Sequence, residues 1–140
     1  MPPFTTQLRV PHYKMDAFGH INNAVYQHYL EQSAIEHAAS LGFSPKRCLE
    51  LGGTFIMRRV VIDYLSPTVG GDRLAITTWL KEMRGSRAIR AYEIRRNGEN
   101  NPSVIAEALW IWVDGHTMRP RAIPGVVVDA FARLPATAIV

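Results

Sequence analysis

Cysteine is almost absent from this 140-residue chain, which contains only Cys48. A single thiol cannot close a disulfide within the chain, so we expect the protein to work in a reducing cytoplasm. No base is evidently arranged to activate this thiol, and Cys48 is interpreted as packing rather than as a nucleophile. The five histidines and the one cysteine also lack the short spacings typical of metal ligands, so no metal site is predicted.

Long hydrophobic runs are missing as well. No apolar stretch approaches the roughly 18 residues that a membrane span requires, and the N-terminal segment lacks the basic and apolar regions of a signal peptide. Apolar residues nevertheless make up 47% of the chain, which is enough to build a hydrophobic core. The sequence contains no internal repeat and no linker, and we expect one domain over residues 1–140.

Blocks of like charge are also lacking, although the net charge is +4. A mildly basic protein favours an anionic partner without identifying it. The charge fits a phosphate-bearing small molecule as well as it fits nucleic acid. No nucleic-acid-binding motif is present, and no nucleic-acid partner is predicted.

The segment NAVYQHYLEQSAIEHAASLGF, residues 23–43, predicts one long helix. Apolar and small residues recur every three or four positions and form one stripe, consisting of Tyr26, Tyr29, Leu30, Ser33, Ala34, Ala38 and Leu41. Asn22 or Asn23 is a suitable N-cap, because its side-chain oxygen can accept from the free N–H groups of the first turn. Gly42 is placed to end the helix, which is then about 19 residues, or about 28 Å, long.

Four later segments are rich in β-branched and aromatic residues and predict strands of about ten residues each. They cover residues 54–65, 73–83, 87–96 and 103–114, and the short loops RGS and NGENNP predict antiparallel hairpins. A further strand is predicted over residues 5–13, and PGVVVDAFARL predicts a short helical turn. Residues 104–113 are apolar at nearly every position, so we expect both faces of this strand to be covered.

The predicted fold class is α+β, with one antiparallel sheet of about five strands wrapped around a long central helix. Strands of ten residues span about 33 Å, which matches the length of the helix. A single helix cannot cover both faces of such a sheet. Its exposed edges and second face therefore suggest pairing with another copy of the chain.

An acid, a histidine and two asparagines lie within the segment DAFGHINN, directly before the helix. The pattern D-x-x-x-H-[VI]-N-N-x-x-Y is matched by Asp16, His20, Ile21, Asn22, Asn23 and Tyr26. On the basis of this motif, the chain resembles the hotdog-fold thioesterases of the 4-hydroxybenzoyl-CoA thioesterase superfamily. The resemblance is strongest to the branch of long-chain acyl-CoA thioesterases and extends more distantly to plant acyl-carrier-protein thioesterases. Two later segments are also similar to strands of that family, namely VIDYLSPTVGGDRLAI and WVDGHTMRPRAIP. The resemblance therefore covers roughly residues 7–125.

This resemblance implies one hotdog domain that hydrolyses the thioester bond of acyl-CoA to free acid and coenzyme A. It also implies a homodimer or a dimer of dimers that shares its active site between copies. No cofactor is implied, because coenzyme A is part of the substrate. One position departs from the family pattern. Many members carry a further aspartate two residues earlier, where this chain has Lys14, so that Asp16 remains as the acid and a 4-hydroxybenzoyl substrate is disfavoured.

Asp16 is the predicted catalytic residue, either as a general base on water or as a direct nucleophile. The first N–H groups of the helix and the positive end of its dipole are expected to form the oxyanion hole. His20 is expected to orient water or Asp16, or to donate to the carbonyl, and Asn23 to position the water or the acid. Each residue also has a structural interpretation, as a loop acid, a contact residue or a helix cap.

Two regions are predicted to bind substrate. Tyr26 and Tyr64 are candidate pocket walls, although a tyrosine at such a position is often a core residue. The segment KEMRGSRAIR gathers basic residues around a tight turn, namely Lys81, Arg84, Arg87 and Arg90. We expect Arg84, Ser86 and Arg87 to hold the phosphates of coenzyme A, with an ordinary solvated hairpin as the alternative.

Two other functions remain open at this stage. Hotdog folds also include (R)-enoyl-CoA hydratases and dehydratases, which pair an acid with a histidine, but their motif is absent here. A non-catalytic acyl-CoA-binding protein is the second alternative, because Lys14 replaces an acid.

Overall fold

A five-stranded antiparallel sheet and one long helix form the framework of the described chain. The computed structural model describes residues 1–12, 16–17 and 19–133. The elements follow in the order β1 (Phe4–Arg9), α1 (Asn23–Ser40), α2 (Pro45–Glu50), β2 (Gly53–Tyr64), β3 (Arg73–Arg84), β4 (Arg87–Arg96), β5 (Val104–Asp114) and α3 (Gly125–Ala132). The predicted α+β class with a hotdog arrangement is therefore confirmed. None of the described helices is long and apolar enough to cross a membrane.

The sheet has the order β1-β3-β4-β5-β2, and every neighbouring pair is antiparallel. The two hairpins predicted from RGS and NGENNP connect β3 to β4 and β4 to β5, as expected. β1 ends at Arg9, earlier than predicted, because Pro11 follows closely and cannot donate to a ladder; Tyr13 lies outside the described residues. The register of β2 against β5 shifts between Met57 and Arg59, which places Arg58 in a β-bulge.

Both ends of α1 are determined by local sequence signals. Asn22 is the N-cap, and its side chain accepts from the Ala24 N–H. At the other end, the Gly42 N–H donates to the Ala39 carbonyl and the Phe43 N–H to the Ala38 carbonyl. These two bonds form a Schellman motif, with Gly42 in the left-handed region at φ +96°. The predicted boundaries are thus confirmed to within a residue.

α1 lies on one face of the sheet, and its buried side chains are Tyr26, Leu30, Ser33, Ala34 and His37. The half of the interface that begins at Tyr26 is a hydrophobic cluster with Leu30, Ile76, Tyr92 and Ala108. The half near the end of α1 is covered by α2 and α3. In this half, a second cluster includes Phe43, Trp112, Val127 and Phe131. α1 therefore joins two different environments on the same sheet face.

Two details differ from the sequence predictions. Ile105 and Glu107 are exposed, so β5 is covered on both faces only in its second half. α2 was not predicted, because six residues are too few to show a helical period. Its start was nevertheless readable, since Ser44 caps it by accepting from the Arg47 N–H and Pro45 follows the cap.

Replacing Gly42 with alanine is expected to destabilise the fold by about 1 kcal/mol, because a side chain disfavours the left-handed backbone there. No atom lies within 4 Å of the added Cβ, so strain rather than a clash is the cause. Gly125→Ala is the matched control, because that glycine is equally open, begins α3 and has no positive φ. Urea denaturation measures both variants. Equal stability of the two would contradict the assigned role of Gly42.

Candidate active site

Asp16 and His20 close a tight loop immediately before α1. The Asp16 N–H donates to the His20 carbonyl over 2.6 Å, and the His20 N–H donates back to Asp16 Oδ1 over 3.1 Å. Gly19, at φ +77°, makes the turn between them possible. The carboxylate of Asp16 is therefore oriented by the backbone, and both Asp16 and His20 remain exposed.

The loop is attached to the sheet through the segment before β3. His20 forms an isolated bridge with Val69, and the Ile21 N–H donates to the Thr68 carbonyl over 2.9 Å. Thr68 is fully buried, and its hydroxyl lies 2.7 Å from the Tyr26 hydroxyl. Burial raises the pKa of Tyr26. Tyr26 thus lies in the core and couples α1 to the segment that holds the loop.

The first turn of α1 offers fewer free donors than a bare helix end. The Ala24 N–H is capped by the Asn22 side chain, and the Val25 N–H donates to the Asn22 carbonyl. The Asn23 N–H makes no hydrogen bond with the described residues. The exposed Asn23 also accepts a hydrogen bond at its carbonyl from the hydroxyl of Tyr64, at 3.3 Å. Asn23 therefore presents the one unengaged amide among these three positions.

Tyr64 ends β2 beside the mouth of α1. Its ring lies 5.4 Å from that of Tyr26, measured between centroids, and the residue is 44% exposed. The structure therefore brings together Asp16, His20, Asn23, Tyr26 and Tyr64, with Tyr26 buried beneath the others.

The basic turn lies at the opposite end of the sheet. Arg84 pairs with Arg87 across the hairpin, and the Ser86 carbonyl accepts from the Trp112 N–H. Asp16 is near the other end of β3, and twelve residues of strand span about 40 Å. Within one chain, the structure does not bring Arg84, Ser86 and Arg87 together with Asp16.

Arg90 was predicted to belong to that basic turn, and this prediction is wrong. The residue is 5% exposed and lies on the inner face of β4, between the buried Ala88 and Tyr92. Lys81, from the same segment, is exposed and pairs with Glu107 over 2.8 Å. Side chains two residues apart in a strand lie on the same face of the sheet. Arg90 therefore shares the buried face of β4 with Ala88 and Tyr92, and this alternation distinguishes it from the residues of the turn.

Arg90 lines a cavity of about 250 Å³ between α1, α2, α3 and the sheet. Its lining side chains are mostly apolar and comprise Ala34, Ile35, Ala38, Phe43, Pro45, Cys48, Thr54, Phe55, Leu80, Ala88, Arg90, Trp110 and Phe131. His37 lies beside it on α1, and no motif in the sequence points to His37 or to the cavity. Only the fold reveals this second polar site.

The Arg90 guanidinium is held by two hydrogen bonds from a single nitrogen. Nη1 donates to His37 Nδ1 over 2.8 Å and to Thr78 Oγ1 over 3.1 Å. Because arginine has no acceptor, His37 Nδ1 must accept, and the ring proton lies on Nε2. The Arg90 Cζ also lies 5.6 Å from the centroid of the Phe131 ring, and the His37 ring stacks on Phe4.

Burial shifts both ionisable groups towards their neutral forms. Desolvation, and secondly the positive charge of Arg90, lowers the pKa of His37 from 6.5 to about 4. Desolvation lowers the pKa of Arg90 to about 10, which leaves the guanidinium charged at neutral pH. At pH 7 the pair therefore consists of one buried cation and one neutral imidazole.

Acidification is expected to destabilise the fold through His37. Between pH 6.5 and about 4 the unfolded chain binds a proton that the folded chain does not. Stability is therefore full above pH 6.5 and falls as the pH approaches 4, by an amount on the order of 2 kcal/mol. In urea denaturation at pH 7.0 and 4.5, His37→Asn, which retains an acceptor for Arg90, should lose less stability than the wild type. An identical loss in both proteins would contradict this assignment.

Comparisons with known proteins support this architecture. The sequence model of the thioesterase-like superfamily matches residues 10–131. The acyl-CoA thioester hydrolase YbgC of Escherichia coli is 30% identical over 128 residues, which cover 91% of this chain and 95% of that protein. The chloroplastic acyl-acyl carrier protein thioesterase ATL3 of Arabidopsis thaliana is 26% identical over 125 residues. That alignment covers 89% of this chain, but the chain spans only 65% of the plant protein's length.

A solved structure shows the same fold at lower identity. Slr0204, a 1,4-dihydroxy-2-naphthoyl-CoA thioesterase from Synechocystis, superposes with a TM-score of 0.86 at 16% identity, covering 95% of this chain and 98% of that one. Because the family model spans most of the described chain and the fold agrees, the chain belongs to the thioesterase-like superfamily, as a thioester hydrolase of the hotdog fold.

Proposed function

We propose that this protein hydrolyses acyl-CoA to a free acid and coenzyme A, with Asp16 as the group that activates or performs the attack. The observation that carries the proposal is the orientation of the Asp16 carboxylate by the His20 N–H, directly before the N-terminus of α1. The name of the Escherichia coli relative supports acyl-CoA as the substrate class.

The proposed reaction places a carboxylate and an amide donor on either side of the thioester carbonyl. Asp16 accepts a proton from water, whose oxygen adds to the carbonyl carbon, or its own oxygen adds directly. The carbonyl oxygen then carries the negative charge, and the Asn23 N–H is the available donor for it. One such donor contributes about 3–4 kcal/mol to transition-state stabilisation. Collapse of the intermediate releases the thiolate of coenzyme A, and water hydrolyses any acyl-aspartate.

The neighbouring residues have positioning roles in this proposal. The His20 N–H orients the Asp16 carboxylate. The imidazole of His20 is exposed, and its proposed role is to orient the attacking water or to donate to the carbonyl. Tyr26 attaches the start of α1 to the segment before β3 through its contact with Thr68. Tyr64 lies beside the start of α1 and bonds to the Asn23 carbonyl. No cofactor takes part, since coenzyme A enters as part of the substrate.

Two copies of the chain would complete the site. Arg84, Ser86 and Arg87 lie far from Asp16 of their own chain, so we infer that they hold the phosphates of coenzyme A bound at a partner's Asp16. β1 and β2 are the edge strands of the sheet, and the outer face exposes Ile56, Val61 and Ile105. Exposed edges and apolar side chains of this kind favour association.

Cys48 takes no part in the proposed chemistry. It is buried, and desolvation raises the pKa of its thiol, which makes it a poor nucleophile at neutral pH. As the only cysteine of the chain, it suits the reducing cytoplasm, where we place the reaction.

Replacing Asp16 with asparagine is expected to reduce thiol release from acyl-CoA by more than about tenfold, since the amide still accepts from the His20 N–H but is no base. Asp129→Asn, on the exposed side of α3, is the matched control and should retain full activity. A thiol-reactive dye assay over acyl chains of several lengths measures both variants. More than a tenth of the wild-type rate in Asp16→Asn would rule out this role. Crotonyl-CoA in the panel tests hydration, which removes the enoyl absorbance without releasing thiol.

Light scattering on a sizing column is expected to give twice or four times the 15.7 kDa of one chain. Charged substitutions at two apolar positions of the outer face, Val61→Glu and Ile105→Glu, should shift a tetramer to dimers without unfolding the chain. A monomer that is fully active in the same buffer would contradict the shared site.

A further inference from the structure

Arg90 carries a positive charge in the interior of the protein, and none of the residues that the structure describes supplies a negative partner for it. Arg90 is 5% exposed and remains charged at neutral pH. No carboxylate lies within ion-pair distance of it in the described part of the chain. Its neighbour His37 is neutral and compensates no charge. Burying an unpaired charge is costly, so this arrangement calls for an anionic ligand.

The hydrogen bonds of Arg90 show which of its donors are available. Both N–H groups of Nη1 are engaged, one with His37 and one with Thr78. No described residue accepts from Nε or Nη2. The Nε–H and one Nη2–H are nearly parallel, and together they form the fork that binds the two oxygens of a carboxylate. The unengaged edge of Arg90 is therefore a carboxylate-binding edge.

Arg90 also lines the cavity, whose other walls are mostly apolar. Ala34 and Ala38 supply small side chains on the α1 side, while Phe55 and Trp110 supply aromatic surface on the sheet side. Ile35 and Pro45 are exposed, so the mouth of the cavity lies between α1 and α2. A ligand that enters there meets apolar surface first and the guanidinium at the inner wall.

We propose that this cavity binds a carboxylate carried on an apolar body, with the Nε and Nη2 edge of Arg90 as its bidentate partner. His37 and Thr78 hold the guanidinium in place by engaging Nη1, and the alanine and aromatic walls accommodate the apolar body. The site is separate from the Asp16 loop, which lies at the other end of α1.

A carboxylate on an apolar body can come from two kinds of molecule. A free fatty acid carries its carboxylate at one end of an apolar chain. The acyl group of an acyl-CoA carries one when the acid is a dicarboxylic acid, with the second carboxyl group at the distal end. Binding of the carboxylate is independent of the proposed function, whereas the second source rests on it.

The binding test uses sodium octanoate, with octanol and octylamine as probes of the same apolar length. Isothermal titration is expected to show wild-type protein binding octanoate at least about tenfold more tightly than either probe, because only the carboxylate pairs with the fork. Arg90→Met should lose that preference. Arg119→Met, which removes an exposed arginine that does not line the cavity, should retain it.

A second variant leaves the arginine intact. Ala38→Leu reduces the cavity and keeps a residue that favours helices, so it should weaken octanoate binding at least about tenfold while Arg90 retains its bonds to His37 and Thr78. Thermal unfolding without ligand checks that each variant folds. This variant tests the site even if Arg90→Met does not fold.

Three outcomes would overturn the proposal. These are octanol binding as tightly as octanoate, unchanged octanoate binding in Arg90→Met or Ala38→Leu, and no octanoate binding by the wild type at millimolar concentration. Arg90 would then be a structural cation held by His37, Thr78 and the Phe131 ring alone.

A kinetic comparison assigns the source once binding is shown. If the acyl group supplies the carboxylate, it must span the roughly 21 Å of α1 between Asn23 and His37. We therefore expect kcat/KM for hexadecanedioyl-CoA to exceed that for hexadecanoyl-CoA, and Arg90→Met should reverse the order. Equal values, together with octanoate binding, assign the site to the free acid. If neither thioester is hydrolysed, the proposed function fails while the binding result still stands.

Discussion

The packing of α1 onto one face of the sheet is the interaction on which the other features depend. Leu30 is completely buried in it, and a fully buried leucine contributes about 1.5–3 kcal/mol. The same packing places the Asp16 loop at one end of the helix, where Tyr26 and Thr68 link helix and sheet. At the other end it places His37 above Arg90. A change in the position of α1 would therefore disturb both polar sites at once.

The two halves of the interface between α1 and the sheet differ in how they are packed. Around Leu30 and Ile76, hydrophobic side chains from the helix and the sheet pack against one another. Beyond Ala34 the small residues of α1 leave a cavity, and α2 and α3 close over it. A buried guanidinium contributes little to stability there, because among the described residues only His37, Thr78 and the Phe131 ring compensate its desolvation. The burial of the Arg90 guanidinium is explained by the proposed binding of a carboxylate rather than by a contribution to stability.

Most of the fold could be predicted from the sequence because its signals are local. The caps at Asn22 and Gly42 define α1, and glycine- and proline-rich turns separate the long strands. α2 was not predicted because its six residues are too few to show a helical period. Arg90 was assigned to the basic turn on sequence proximity, although the alternation along β4 turns it inward. Of the candidate site, the cluster at the helix mouth was recognisable, since its residues lie within one short segment.

The sequence by itself determined the class of the fold, the family, the boundaries of β2 to β5 to within a residue and the acid before the helix. All of these depend on residues that lie close together in the chain, through caps, turns and alternating burial. Tertiary structure alone decided that the Arg84–Arg87 turn lies at the far end of the sheet from Asp16, and that Arg90 meets His37 across 53 residues of sequence. The physical reason is that such contacts arise from the packing of α1 against the strands, and no local period records which residues that packing brings together.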